Sequence, residues 1–159
     1  MLKKYNLTQY LVFIALVFSF ETNCASLTQV QNLSFGSLVP KSGSCEMDPS
    51  NGQIILGASF CLRNSKQGQY QLISGANERF RIRIYTSVDA DYDIAFEQKF
   101  ILSNDYGTSI DGIAGVAEEI ITGSDGIINI DIGGILNINE TIPAALSISF
   151  SFDIEYQAL

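Results

Sequence analysis

The sequence predicts an all-β protein, an antiparallel β-sandwich of about seven to eight strands behind an N-terminal leader. Three observations carry that prediction. The closing stretch "ALSISFSFDIEYQAL" sets Leu146, Ile148, Phe150, Phe152, Ile154 and Tyr156 on every second position, with Ser147, Ser149, Ser151, Asp153 and Glu155 between them. Successive strand side chains point to opposite faces, so this segment offers one face to a core and one to water. The stretch "DGIINIDIGGILNIN" repeats the pattern through Ile128, Ile130, Ile132, Leu136 and Ile138. Turn residues recur between such runs at short intervals, the spacing of a sandwich rather than of strands alternating with helices.

The leader comes first. Lys3 and Lys4 precede the apolar run "LVFIALVFSF", and the polar "ETNCAS" follows. That order is a secretory signal peptide's, and the run is about half the ~20 residues a spanning helix needs. Residues 1–25 are read as a signal peptide cleaved after Ala25, and 26–159 as one domain with enough chain to bury its own core. Cys24 follows an apolar run as the lipidated cysteine of a bacterial lipoprotein does. Glu21 and Asn23, however, stand where that cleavage site needs an aliphatic and a small residue.

Loss of Lys3, Lys4 and Glu21 with the leader lowers the 9 basic and 17 acidic residues to 7 and 16, a net charge of −9. Such a field repels polyanions and anionic lipid, which argues against nucleic-acid partners and against electrostatic adsorption to membranes; no membrane insertion is expected after signal cleavage. Export leads to the cell surface or extracellular space, or alternatively to the periplasm. In an oxidising compartment the two cysteines beyond the leader, Cys45 and Cys61, are expected to form one disulfide.

Along the mature chain, "SLTQVQNLSFGSLVP" alternates at Leu33 and Phe35, bends at Gly36 and stops at Pro40, a short strand and a turn. In "CEMDPSNGQIILGASFCLR" the turn residues Asp48 to Gly52 separate two strands. Ile54, Leu56, Ala58, Phe60 and Leu62 are expected to share one face of the second, with Cys61 on the other. "QYQLIS" is a further strand, and Gly75 to Asn77 turns the chain into "RFRIRIY", where Phe80, Ile82 and Ile84 face inward and Arg79, Arg81 and Arg83 outward. An outward arginine row invites anion binding. Pairing with carboxylates on neighbouring strands is the favoured expectation. Asp89, Asp91 and Asp93 have the spacing that opens a calcium loop, but Ile94 and Phe100 stand where the turn glycine and closing glutamate belong, so the segment reads as a solvated loop. "GIAGVAEEII" fits a short helix or an irregular strand, with Glu118 and Glu119 at the surface. The Gly133-Gly134 pair, which leaves the alternation around it in phase, predicts a bend or bulge in the penultimate strand.

The chemistry of an enzyme is missing. There is no histidine, so neither a Ser-His-Asp nor a Cys-His arrangement can be built, and there is no tryptophan for sugar stacking. No phosphate loop and no metal-spaced cysteine cluster is present, so no cofactor or metal is expected. Hydrolysis by two carboxylates needs only a pair about 5 to 10 Å apart, but nothing nominates one. A non-enzymatic role with protein partners is the expectation.

Two segments, "NLSFGSLVP" and "DGIINIDIGGILNINETIPAALSISFSFDIEYQ", together resemble the bacterial domain-of-unknown-function family 4402. The matching positions are Leu33, Phe35, Gly36 and Pro40 near the mature start, then Gly133, Gly134 and Tyr156. The resemblance implies a secreted immunoglobulin-like sandwich, broadly similar to the pilin subunits assembled by the chaperone-usher route. In pilins the sandwich lacks a strand and a neighbouring subunit supplies it. That makes Leu146, Ile148, Phe150, Phe152 and Ile154 a candidate edge-strand assembly face, with self-association by strand addition or a periplasmic chaperone as partner. The chain departs from the pilin pattern in that Tyr156 is not next to last and the segment before Leu33 is short for a donor. The expected function is therefore a cell-surface or fimbria-like structural or adhesive subunit. The alternative is a monomeric periplasmic or secreted binding module for a glycan or protein, using loops such as Asp89 to Asp93.

Overall fold

The computed structural model describes residues 24–88, 93–141, 148 and 150–159, and within them every regular element is a strand. In chain order these are β1 (Ser26–Gln31), β2 (Ser37–Leu38), β3 (Gly43–Met47), β4 (Ile54–Leu56), β5 (Cys61–Arg63), β6 (Gly68–Ile73), β7 (Arg79–Val88), β8 (Ile94–Ser103), β9 (Ser109–Ile113), β10 (Ala117–Ile121), β11 (Ile127–Ile138) and β12 (Phe150–Ala158). Twelve strands replace the seven or eight expected, within the antiparallel sandwich that was predicted. The excess comes from pieces too short to show a period, such as β2 and β4, and from β9 and β10, which occupy the segment in which a helix was an option.

β11 organises the larger sheet. One of its edges pairs with β8 over ten consecutive positions, Asn129↔Ser103 to Ile138↔Ile94. The other edge pairs first with β6 and then with β3. β1, β4 and β9 continue the sheet outward from β6, β3 and β8. The second sheet has the order β10-β7-β12, and β2 with β5 forms a small third one. All pairings are antiparallel.

The core lies between the sheets in two adjoining clusters. One gathers Phe80, Ile82 and Ile84 of β7, Ile128, Ile130 and Ile132 of β11, Phe100 and Leu102 of β8, and Ile154 of β12. The other gathers Leu136 and Ile138 with Phe35, Met47, Phe60, Cys45 and Cys61. Burial of a side chain of this size contributes about 1.5–3 kcal/mol. Gln98 stands between Phe96 and Phe100 on the inward face of β8, 2% exposed and beside the Thr86 hydroxyl.

Two local expectations are corrected. No bulge interrupts β11 at Gly133-Gly134, since its register with β8 never shifts. The glycines are needed because backbones approach there: a Cβ on Gly133 would lie 2.6 Å from the Met47 carbonyl oxygen, and one on Gly134, whose φ is +134°, would lie 2.2 Å from that of Glu97. The run from Ile54 to Leu62 is not one strand. Gly57, at φ 74°, starts a turn in which the Phe60 and Cys61 amides both donate to its carbonyl. The turn resets the phase, so Phe60 and Cys61 are both buried while Leu56 and Leu62 are exposed.

Candidate functional site

The resetting turn also decides where the disulfide forms. Cys45 on β3 and Cys61 on β5 are bonded, with Cα atoms 6.1 Å apart, and both are 2% exposed. The alternation put Cys61 on the face opposite Ile54 to Leu62; the turn brings it inside, where the bond clamps the small sheet over the β3 end of the large one.

The outer edge of β12 is the feature with most to offer a partner. Among the described residues β12 has one neighbouring strand, β7, with which it pairs from Phe150↔Val88 to Ala158↔Phe80. The strict alternation of its sequence puts Phe150, Phe152, Ile154 and Tyr156 on the core side, and burial is incomplete: Ile154 is buried, Phe150 and Phe152 are half-buried, and Tyr156 is 38% exposed. An aromatic cluster backs them. Phe150 packs at a tilt against Phe96 of β8 at 4.9 Å and against Phe35 at 5.7 Å between ring centres, and Phe152 meets Tyr70 of β6 edge-on at 6.1 Å. Burial raises the Tyr70 phenol above its ordinary pKa, while Gln29 donates to its oxygen at 2.9 Å. At the far end the Tyr156 hydroxyl donates to the Ala25 carbonyl at 3.3 Å.

The opposite face of the same sheet is charged in columns. Arg79, Arg81 and Arg83 of β7 lie beside Ile121, Glu119 and Ala117 of β10 on one side. On the other side Arg81 and Arg83 lie beside Gln157 and Glu155 of β12. Arg81 bonds Glu119 at 2.6 Å, and Arg83 sits 3.9 Å from Glu155 and donates to the Tyr85 hydroxyl at 3.2 Å. Two of the three arginines therefore have carboxylate neighbours across the strands, as expected of the row. Glu118 and Glu119 are neighbours on β10 whose side chains point to opposite faces, so they form no acid and base pair.

Of the motif positions near the start, Leu33 and Phe35 join the second core cluster, which also takes Ile148 and Phe150. Gly36 has φ 72°, and Pro40 lies exposed in the bend after β2. Gly133 and Gly134 are buried in mid-β11, and Tyr156 lies near the C-terminal end of β12. The fold thus brings the first motif to the start of the last strand. Leu146 lies outside the described residues, as do residues 89–92 of the Asp89 to Asp93 loop. Sequence reasoning missed Phe96 and Tyr70, although the alternation of "IAFEQKF" places Phe96 in phase with Phe100.

Two clefts lie elsewhere among the described residues. One of about 570 Å³ is lined by Gln31, Asn32, Ser34, Ser37, Asn64 and Lys66. The other, about 450 Å³, lies beside β9 and β10 and includes Asn77, Arg79, Tyr106 and Glu119, with the Tyr106 hydroxyl donating to Asn77 at 2.6 Å. Among the described residues no three His, Cys, Asp or Glu side chains gather as a metal site, and no helix is long and apolar enough to cross a membrane. Compared with known proteins, the chain matches no family model and no curated sequence.

Proposed function

We propose that this protein is an exported, non-enzymatic β-sandwich that serves as a cell-surface or fimbria-like structural subunit, joined to protein partners by a strand added at the outer edge of β12. The observation that carries the reading is that edge: among the described residues no strand pairs with the outer side of this nine-residue strand, above half-buried Phe150 and Phe152. Unpaired N–H and C=O groups are a template for another extended segment, and apolar side chains on alternate positions give it something to cover. The Cys45–Cys61 disulfide supports passage through an oxidising compartment, and the terminal segments' resemblance to family 4402 supports a secreted subunit.

The test is amide hydrogen exchange combined with light scattering on the chain from Ser26, exported to an oxidising periplasm and purified without reductant. Extended peptides with alternating apolar residues should protect the outward amides of β12 and give complexes that survive chromatography. A monodisperse monomer whose β12 amides no such peptide protects would overturn the reading. In that event the cleft bounded by Gln31, Asn32, Ser34 and Lys66 favours the second reading, a binding module for a glycan. Its amide and hydroxyl groups match the hydrogen-bonding character of a sugar.

A further inference from the structure

The outward face of the three-stranded sheet alternates in sign from strand to strand. Glu119 on β10 is followed by Arg79, Arg81 and Arg83 on β7, and these by Asp153 and Glu155 on β12. Directly opposed unlike charges stabilise neighbouring strands and like charges oppose pairing. The last column is acidic and has a basic column on one side only, since β12 has no second neighbour among the described residues. Asp153 stands across from Tyr85 rather than from an arginine, so its carboxylate is not matched within the sheet.

A strand laid on the outer edge of β12 would set one face beside Phe150, Phe152, Ile154 and Tyr156 and the other beside Ser151, Asp153, Glu155 and Gln157. The first demands apolar residues and the second basic ones, two positions apart. From these columns, and resting on the strand-addition reading above, we infer that the partner is an extended segment of a different polypeptide, about nine residues long, alternating apolar with lysine or arginine. A second copy of this chain does not supply it. The only stretch with basic residues two apart is Arg79 to Arg83, and that stretch is the central strand β7, paired on both edges. The N-terminal segment is also committed, because Ser26–Gln31 pairs with β6 in its own chain and carries no basic residue.

Three nine-residue peptides test this: valine alternating with lysine, with threonine or with glutamate, each titrated against the chain from Ser26 with β12 amide protection as the readout. Two favourable cross-strand pairs should make the lysine peptide bind about tenfold tighter than the threonine one in dilute buffer, with the gap narrowing in ~0.5 M salt. The glutamate peptide should bind weakest. In the variant carrying Asp153→Asn and Glu155→Gln, both at exposed positions, the lysine preference should shrink to about threefold or less. Threonine and lysine peptides that protect β12 equally would overturn the charge inference and leave strand addition standing. Undiminished preference in the double variant would also overturn it, by assigning the effect to the protein's overall negative charge. Absence of β12 protection by all three peptides would remove strand addition itself.

Discussion

Replacing Gly134 by alanine should be among the most damaging single-methyl changes this fold can suffer. A Cβ at that position would lie 2.2 Å from the Glu97 carbonyl oxygen, 2.9 Å from the Lys99 nitrogen and 3.0 Å from the Gln98 Cα. All three are backbone atoms of β8, held by an unshifted ladder on both sides of the contact, so no rotamer change can make room. Relief requires the two central strands to part by about 1 Å locally, against a normal spacing of about 4.8 Å. Overpacking of this kind costs about 1–3 kcal/mol, and an L-residue held at φ +134° adds about 1–3 kcal/mol of backbone strain. The total is about 4 kcal/mol, a large share of the ~5–15 kcal/mol by which domains are stable. With a urea slope of about 2 kcal/mol per M, the unfolding midpoint should fall by about 2 M. Gly107 supplies the control: its φ is +77° but a Cβ there meets nothing within 4 Å, so Gly107→Ala should cost only the left-handed penalty of about 1–2 kcal/mol. Fluorescence-detected urea titrations of the two variants would decide the matter. Equal midpoints would refute the claim that close backbone approach, rather than backbone conformation alone, requires glycine in the middle of β11.

Other consequences can be checked on the same protein. Cys45 and Cys61 are separated by 16 residues in sequence, so reduction should cost about 3 kcal/mol of stability, seen as a lower urea midpoint with reductant; an unchanged midpoint would mean the bond constrains little in the unfolded chain. Arg81 and Ile82 are adjacent on β7 but face water and core respectively. Arg81→Ala should cost no more than about 1 kcal/mol, because its bond to Glu119 is exposed, whereas Ile82→Ala should cost about 2–5 kcal/mol. Comparable losses would contradict the assigned faces. The Asp105 carboxyl is held below its ordinary value of 3.8 chiefly by the Ser124 hydroxyl, helped by backbone N–H groups. A depressed folded pKa means that the stabilisation is present above the unfolded value and is lost as pH falls through the folded one. Ser124→Ala should therefore raise the Asp105 titration midpoint toward 3.8 in a carbon-detected NMR titration, and a midpoint that stays low would assign the shift to the backbone donors instead.

The strands legible in the sequence were those long enough to show a period. β7, β11 and β12 were assigned faces that burial supports, from Phe80, Ile82 and Ile84 through Ile128 to Ile138, with Ile154 buried on the last. β2, β4 and β5, of two or three residues, are too short to carry a pattern; they are strands because neighbouring segments hold them. The run Ile54 to Leu62 misled for a related reason. Its alternation was real in sequence, but the Gly57 turn changed phase inside it, and only the packing of Phe60 against the second core cluster reveals the change. Periodicity made the candidate edge legible as an alternating segment; its place at an edge was suggested by the resemblance to pilin-like proteins alone.

By itself the sequence determined that the chain forms alternating strands, that Phe80 to Ile84 and Ile128 to Ile138 face inward, and that Cys45 had Cys61 as its one partner among residues 26–159. These follow from local geometry and counting: a side chain's face is set by its position along its own strand. Only the tertiary structure decided that the cysteines meet inside, that the glycine pair relieves backbone contact without a bulge, and that Phe35, Phe96 and Phe150 converge. It also decided that, among the described residues, β12 ends its sheet with acidic residues outward. Which strand lies beside which depends on contacts between residues far apart in the chain, and the same alternating pattern suits a central strand or an edge equally well.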